Sequence, residues 1–169
     1  VGSFLGGDQD FYVLQTSATK YWTLFKKHTI EYKIRLGASQ EFGDSPEVPV
    51  FDRFFAGGLG SVRGFDFRRV GPIEAGDAVG GQTIAVTNLE YTFPIPKLDA
   101  FRFAAFVDAG HVNRDSYNID FGKFSVSLGP GIKIKTPIGP IVFYYGLPIA
   151  NRDTKNRNGR FEFSLSRGF

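Results

Sequence analysis

Phe124-Ser125-Val126-Ser127-Leu128-Gly129-Pro130-Gly131-Ile132-Lys133-Ile134-Lys135 alternates apolar with small or charged residues almost without a break. Phe124, Val126, Leu128, Ile132 and Ile134 fall on one side, and Ser125, Ser127, Gly129, Gly131, Lys133 and Lys135 on the other. A period of two belongs to a half-buried strand, not to a helix. Strands in soluble sandwiches usually run to about 5–6 residues, whereas a tilted strand needs about 9–11 to cross a bilayer. The length and the alternation together predict the wall of a membrane β-barrel, with the apolar side to lipid and the lysines to the lumen.

The same pattern spreads outward in both directions. Upstream, Ile30, Tyr32, Ile34, Leu36 and Ala38 alternate with Glu31, Lys33, Arg35 and Gly37, and charges of both signs on one side fit a wet lumen. Phe11 to Phe25 is the least regular segment, because Lys20 falls on the side of Leu14, Ala18 and Trp22. Gln82 to Phe93 sets Ala85, Leu89, Tyr91 and Phe93 against Gln82, Asn88 and Glu90, and Pro94 to Lys97 is expected to stop it. Phe101 to Val112 places Phe103, Ala105 and Val107 outward and Arg102, Phe106, Asp108 and Gly110 inward. Downstream come Ile141 to Ile149 and Arg160 to Phe169, the latter opposing Phe161, Phe163 and Leu165 to Glu162 and Ser164. Seven strands result, plus a stub at Val1. Short turns after Phe25, Phe93 and Lys135 alternate with longer polar connections after Ser39, Val112 and Ile149, the second a polar loop over Asn113 to Lys123, as in bacterial outer-membrane barrels.

Composition narrows the class. The 169 residues, with 19 Phe, 21 Gly, no Cys and no Met, hold no apolar run of the roughly 20 residues a transmembrane helix needs. Without Cys there is neither a disulfide framework nor a thiolate metal site. The net charge of +3 is scattered over alternate strand positions and loops, so no nucleic-acid footprint is expected. The start at Val1, with no preceding Met or signal segment, reads as part of a longer protein. Residues 1–169 are taken as one domain, with an inserted loop at 51–72.

That loop, Phe51 to Pro72, reads FDRFFAGGLGSVRGFDFRRVGP and is crowded with Arg, Phe and Gly. It is expected to fold back into the barrel, where Arg63 meets a carboxylate. No catalytic pattern accompanies it. Gly57-Gly58-Leu59-Gly60 lacks a following GK[ST], Arg63 stands where GxGxxG would need its third Gly, and no GxSxG surrounds Ser61. His28 and His111 have no third ligand at metal-binding spacing and read as surface or interfacial residues. No catalytic residue, metal or cofactor is expected, and the chain is not expected to be an enzyme.

Five spaced blocks carry a family resemblance. The loop run is followed by Ala78-Val79-Gly80-Gly81, Asn88-Leu89-Glu90-Tyr91, Phe106-Val107-Asp108-Ala109-Gly110 and Pro137-Ile138-Gly139-Pro140, and the chain ends on an aromatic residue. In this order they resemble the C-terminal half of the barrel of BamA-type outer-membrane protein assembly factors. The resemblance implies an all-β antiparallel transmembrane barrel of sixteen strands preceded by POTRA domains, of which this chain supplies the last seven to eight. It implies that Val62-Arg63-Gly64-Phe65 anchors the loop, with Glu90 and Asp108 as lumen partners of Arg63. The last strand, through Phe161, Phe163, Leu165, Ser166, Gly168 and Phe169, is implied to form a seam that parts from the first strand. Ser166 occupies a position where the family often carries Gly, and the nearest Gly is Gly168.

The function implied is folding and insertion of β-barrel clients in the bacterial outer membrane, without ATP, by strand addition at that seam. The implied partners are outer-membrane lipids, unfolded outer-membrane protein clients and periplasmic accessory lipoproteins. Two alternatives stand beside it, a two-partner secretion exporter of the same superfamily and a simple eight-stranded structural or adhesin barrel.

Overall fold

The alternation of the sequence becomes one continuous antiparallel sheet. A computed structural model of the chain describes residues 10–137, 139–150 and 158–165, without the side chain of Lys26. Its long strands are β1 (Phe11–Thr23), β2 (Thr29–Glu41), β5 (Thr83–Ile95), β6 (Leu98–Asn113), β7 (Ser125–Thr136), β8 (Gly139–Ala150) and β9 (Arg160–Leu165). They pair in the order β1-β2-β5-β6-β7-β8-β9. A small hairpin of β3 (Ile73–Glu74) and β4 (Asp77–Ala78) sits within the long β2–β5 connection. The expected stub at Val1 and the positions Ser166, Gly168 and Phe169 lie outside the described residues.

Register decides which residues share a face. Glu31 stands opposite Glu90, Glu90 opposite Phe106, and Asn88 opposite Asp108, so these side chains line one surface. Leu89, Tyr91, Phe103, Val107, Leu128, Ile132 and Leu147 on the other surface are exposed, as lipid-facing side chains are. Within the described residues the sheet does not close on itself: β1 and β9 are its edges.

Three sequence expectations need correction. The stop at Pro94 falls inside β5, which runs on to Ile95. The β2 ladder ends at Thr92, so an absent N–H beyond it breaks no bond there, and the β5–β6 register shifts between Pro94 and Ile95. The polar connection after β6 folds back over the outer face of the sheet. There Tyr117 bonds Tyr12 through their hydroxyls at 2.9 Å, the Asn118 N–H donates to Thr83 Oγ1, and Ile119 lies beside Tyr32 and Leu36. His111 is therefore buried rather than a surface residue, with its ring stacked on Phe124.

The core lies on the face that carries Glu90 and Asp108, between the sheet and the inserted loop. Phe54, Ala56, Val62, Phe65 and Val70 from the loop pack on Ile84 and Val86 of β5 and Val112 of β6. Burying apolar area at roughly 25 cal/mol per Å² is what draws an aromatic, glycine-rich segment off the surface and into the lumen. Backbone bonds fix its entry. Phe54 and Gly81 exchange N–H···O bonds of 2.8 and 3.0 Å, and the Val70 N–H donates to the Ala56 carbonyl at 2.9 Å.

Candidate functional site

Glu90 on β5 and Asp108 on β6 sit on neighbouring strands two register positions apart, so their carboxylates are diagonal neighbours on the lumen surface. Both are buried, at 5% and 0% exposure, and two bare carboxylates there would repel each other without water to screen them. The loop brings Arg63 between them. Its Nε and Nη2 donate to the two oxygens of Asp108 at 2.7 Å each, Nη1 donates to Glu90 Oε2 at 2.5 Å, and its backbone N–H donates to Asp108 Oδ2 at 3.0 Å. A planar fork of donors suits this bidentate-plus-one arrangement, which the single point charge of a lysine cannot reproduce.

The guanidinium is also held by its faces. Its central carbon lies 3.8 Å from the Phe106 ring centroid and 4.5 Å from that of Tyr144, and those rings meet edge to face. Desolvated cation–π contacts of this kind are worth about 2 kcal/mol. The Tyr144 hydroxyl donates to Glu90 Oε2 at 2.7 Å, and Lys133 of β7 pairs with Glu90 Oε1. Arg63 lies on the loop rather than on a membrane-crossing strand. Burial by itself would lower its pKa, but Asp108 and Glu90 outweigh that and raise it above the usual value, so the side chain stays charged.

Glycines on β6 and β7 make the room. A Cβ at Gly131 would stand 2.4 Å from the Tyr144 ring, and one at Gly110 would stand 2.5 Å from a Val62 methyl. Gly64 follows Arg63 with a φ of +86°, and a Cβ there would approach the Gly146 backbone to 2.7 Å. Two strand and loop backbones touch at that point, and side chains on either would part them.

The structure thus brings Val62, Arg63, Gly64, Phe65, Glu90 and Asp108 together. Val62 and Phe65, which flank Arg63 and Gly64 in the sequence, are buried in the core. Of the strand assigned to the seam, Phe161, Phe163 and Leu165 are exposed on the outer face of β9. The sequence reasoning did not single out Phe106 or Tyr144 as ring partners, Lys133 as a second cation on Glu90, or Glu162, whose Oε1 accepts from the Gly64 N–H at 2.9 Å. Their inward alternation was the available signal. Nothing local to each strand reveals that they converge on one loop residue.

Known proteins resemble this chain in sequence and fold. The Omp85 superfamily domain matches residues 1–169. The outer membrane protein assembly factor BamA of Nitratidesulfovibrio vulgaris is 36% identical over 174 residues, an alignment covering 99% of this chain and 22% of that protein. A SAM50-like protein of Schizosaccharomyces pombe is 30% identical over 162 residues, covering 89% of this chain and 34% of its own. The crystal structure of BamA from Haemophilus ducreyi lacking POTRA domains 1-3 superposes with a TM-score of 0.78 at 30% identity, over 94% of this chain and 35% of that one. The chain therefore spans about a fifth to a third of the length of these relatives.

Proposed function

The chain belongs to the Omp85 superfamily and is of its BamA type, and on that premise we propose that it is the C-terminal part of a barrel that folds and inserts β-barrel clients in the bacterial outer membrane. Its barrel strands expose an apolar outer face suited to outer-membrane lipids. Clients are unfolded outer-membrane proteins, periplasmic accessory lipoproteins assist, and the work is driven by client folding rather than by ATP or a cofactor. No step is enzymatic.

The observation that carries this reading is the Arg63 clamp, in which an inserted loop is fixed inside the lumen by a buried guanidinium bound to Asp108 and Glu90. In the proposed mechanism the last strand parts from the first strand of the whole barrel and presents N–H and C=O groups on which an incoming strand can build a ladder. The loop braces the wall beside that seam. The assembly-factor names of the BamA relatives favour this reading over an exporter. A match over nearly the whole chain to about a fifth to a third of larger BamA-type proteins favours a piece of a larger barrel over a simple eight-stranded one.

The test uses the full-length protein in proteoliposomes, with a urea-denatured barrel client whose folding is followed by its heat-dependent gel shift. Arg63→Ala is expected to slow client folding at least about tenfold, with Arg63→Lys only partly restoring it, because lysine lacks the fork. Normal client folding by a protease-resistant Arg63→Ala protein would refute the proposal.

A further inference from the structure

The loop that carries Arg63 is also fastened to the last strand. On β9, Arg160 and Glu162 alternate onto the lumen side, opposite Gly146 and Tyr144 of β8. On the loop, Gly64 and Asp66 have the same spacing of two. The Gly64 N–H donates to Glu162 Oε1 at 2.9 Å, and the Asp66 carboxylate pairs with Arg160. Between these links Gly64 rests on Gly146, where a Cβ on either residue would come within 2.7 Å of the other's backbone. Two matched bonds and a backbone contact make a continuous junction.

Glu162 is an expensive residue to place there. It is 8% exposed, and its Oε2 accepts no hydrogen bond among the described residues. A buried, half-satisfied carboxylate destabilises a strand whose only task is to line a lumen, where a serine such as the neighbouring Ser164 would suffice. The bond to the loop amide accounts for it. A charged acceptor makes a stronger bond to a backbone N–H than a neutral one does.

We propose that Glu162 and Arg160 are positioning residues that fasten the last strand to the inserted loop, so that displacing one from the barrel wall displaces the other. The inference rests on the seam reading above for its purpose, but not for its physical content. The last described strand is tied on its lumen face to the segment braced by Glu90 and Asp108. The state of the Arg63 clamp is thereby transmitted to the strand at which a client would add.

Hydrogen–deuterium exchange on the full-length protein in lipid nanodiscs tests this, with no client present. Glu162→Leu is expected to speed amide exchange at least about tenfold both in 160–165 and in 62–67, leaving β5 and the lower half of β6 unchanged. Glu162→Gln, which keeps an acceptor for the Gly64 amide, is expected to stay within about threefold of wild type. Arg160→Asp is expected to loosen the same two segments and Asp66→Arg added to it to restore them. This charge-reversed pair, on partly exposed side chains, carries the test if Glu162→Leu fails to fold. Loosening confined to 160–165, or no restoration by the reversed pair, overturns the inference. Because the readout needs no client, failed client assembly in a protein that still shows the coupled exchange would count against the assembly reading alone.

Discussion

Asp108→Ala exposes the energetics of the clamp most directly. The substitution removes three bonds to Arg63, two of them charge-assisted and bidentate, and leaves the guanidinium with Glu90 and two aromatic faces. Removing one partner of a buried ion pair costs about 3–5 kcal/mol, mostly because the survivor remains desolvated. With about 1.4 kcal/mol per factor of ten, that is a loss of two to three orders of magnitude or more in the folding equilibrium. Arg63→Ala should cost a similar amount, since it leaves Asp108 buried without its cation. The double variant strands only Glu90, which keeps Lys133 and the Tyr144 hydroxyl. It should therefore lose little more than either single variant, so that the coupling energy comes close to one single-variant loss, about 3 kcal/mol or more. The measurement is urea-induced unfolding of the full-length protein in lipid vesicles, by tryptophan fluorescence and the heat-dependent gel shift. Losses in the double variant equal to the sum of the two singles would show that Arg63 and Asp108 act independently, and the clamp argument would fall.

Smaller perturbations probe the surroundings of the clamp by the same assay. Tyr144→Phe keeps the ring over Arg63 and removes one bond to Glu90, for an expected loss of about 1 kcal/mol, whereas Tyr144→Ala also opens a cavity and should cost about 3–5 kcal/mol. Gly131→Val drives a side chain into the Tyr144 ring and should destabilise by about 1–3 kcal/mol, measured against Gly60→Ala, whose Cβ would meet nothing. Gly64→Ala combines a left-handed backbone with contact against Gly146, for about 1–2 kcal/mol from the backbone alone; Ala at this position should also quicken trypsin cleavage after Arg63.

The strands were legible because lipid outside and water inside impose a strict period of two, and a one-residue slip would bury charges in the bilayer. Thus Glu90 and Asp108 could be placed on the lumen side from alternation alone. That Arg63 meets both of them came from resemblance, since a loop's path through a lumen leaves no periodic trace. Phe106 and Tyr144 stand on different strands with β7 between them, and they meet only because Gly129 and Gly131 on that strand have no side chains. In sequence those glycines read as ordinary gaps in a strand pattern. The segment after β6 misled for another reason. Its Tyr117, Ile119 and Phe121 are separated by polar residues, which hides an apolar edge that folds back against the sheet.

The burial of the clamp has an origin that bears on how firmly it holds. In a globular core a guanidinium is desolvated by the whole protein; here the sheet supplies one side, and the loop itself supplies Leu59, which packs on the Phe106 and Tyr144 rings that hold Arg63. A small shift of the loop would break the short bonds to Asp108 and Glu90 while the cover still excludes water, which is the costly case for every charge involved. A full withdrawal would instead return Arg63, Glu90 and Asp108 to the lumen together, where hydration repays much of the lost pairing. The clamp is therefore stiff against small displacements and less costly per ångström to release completely. The Gly64–Glu162 and Asp66–Arg160 bonds extend that all-or-none character to β9. An apolar plug of the same shape would lack it, because its cost would rise smoothly with exposed area.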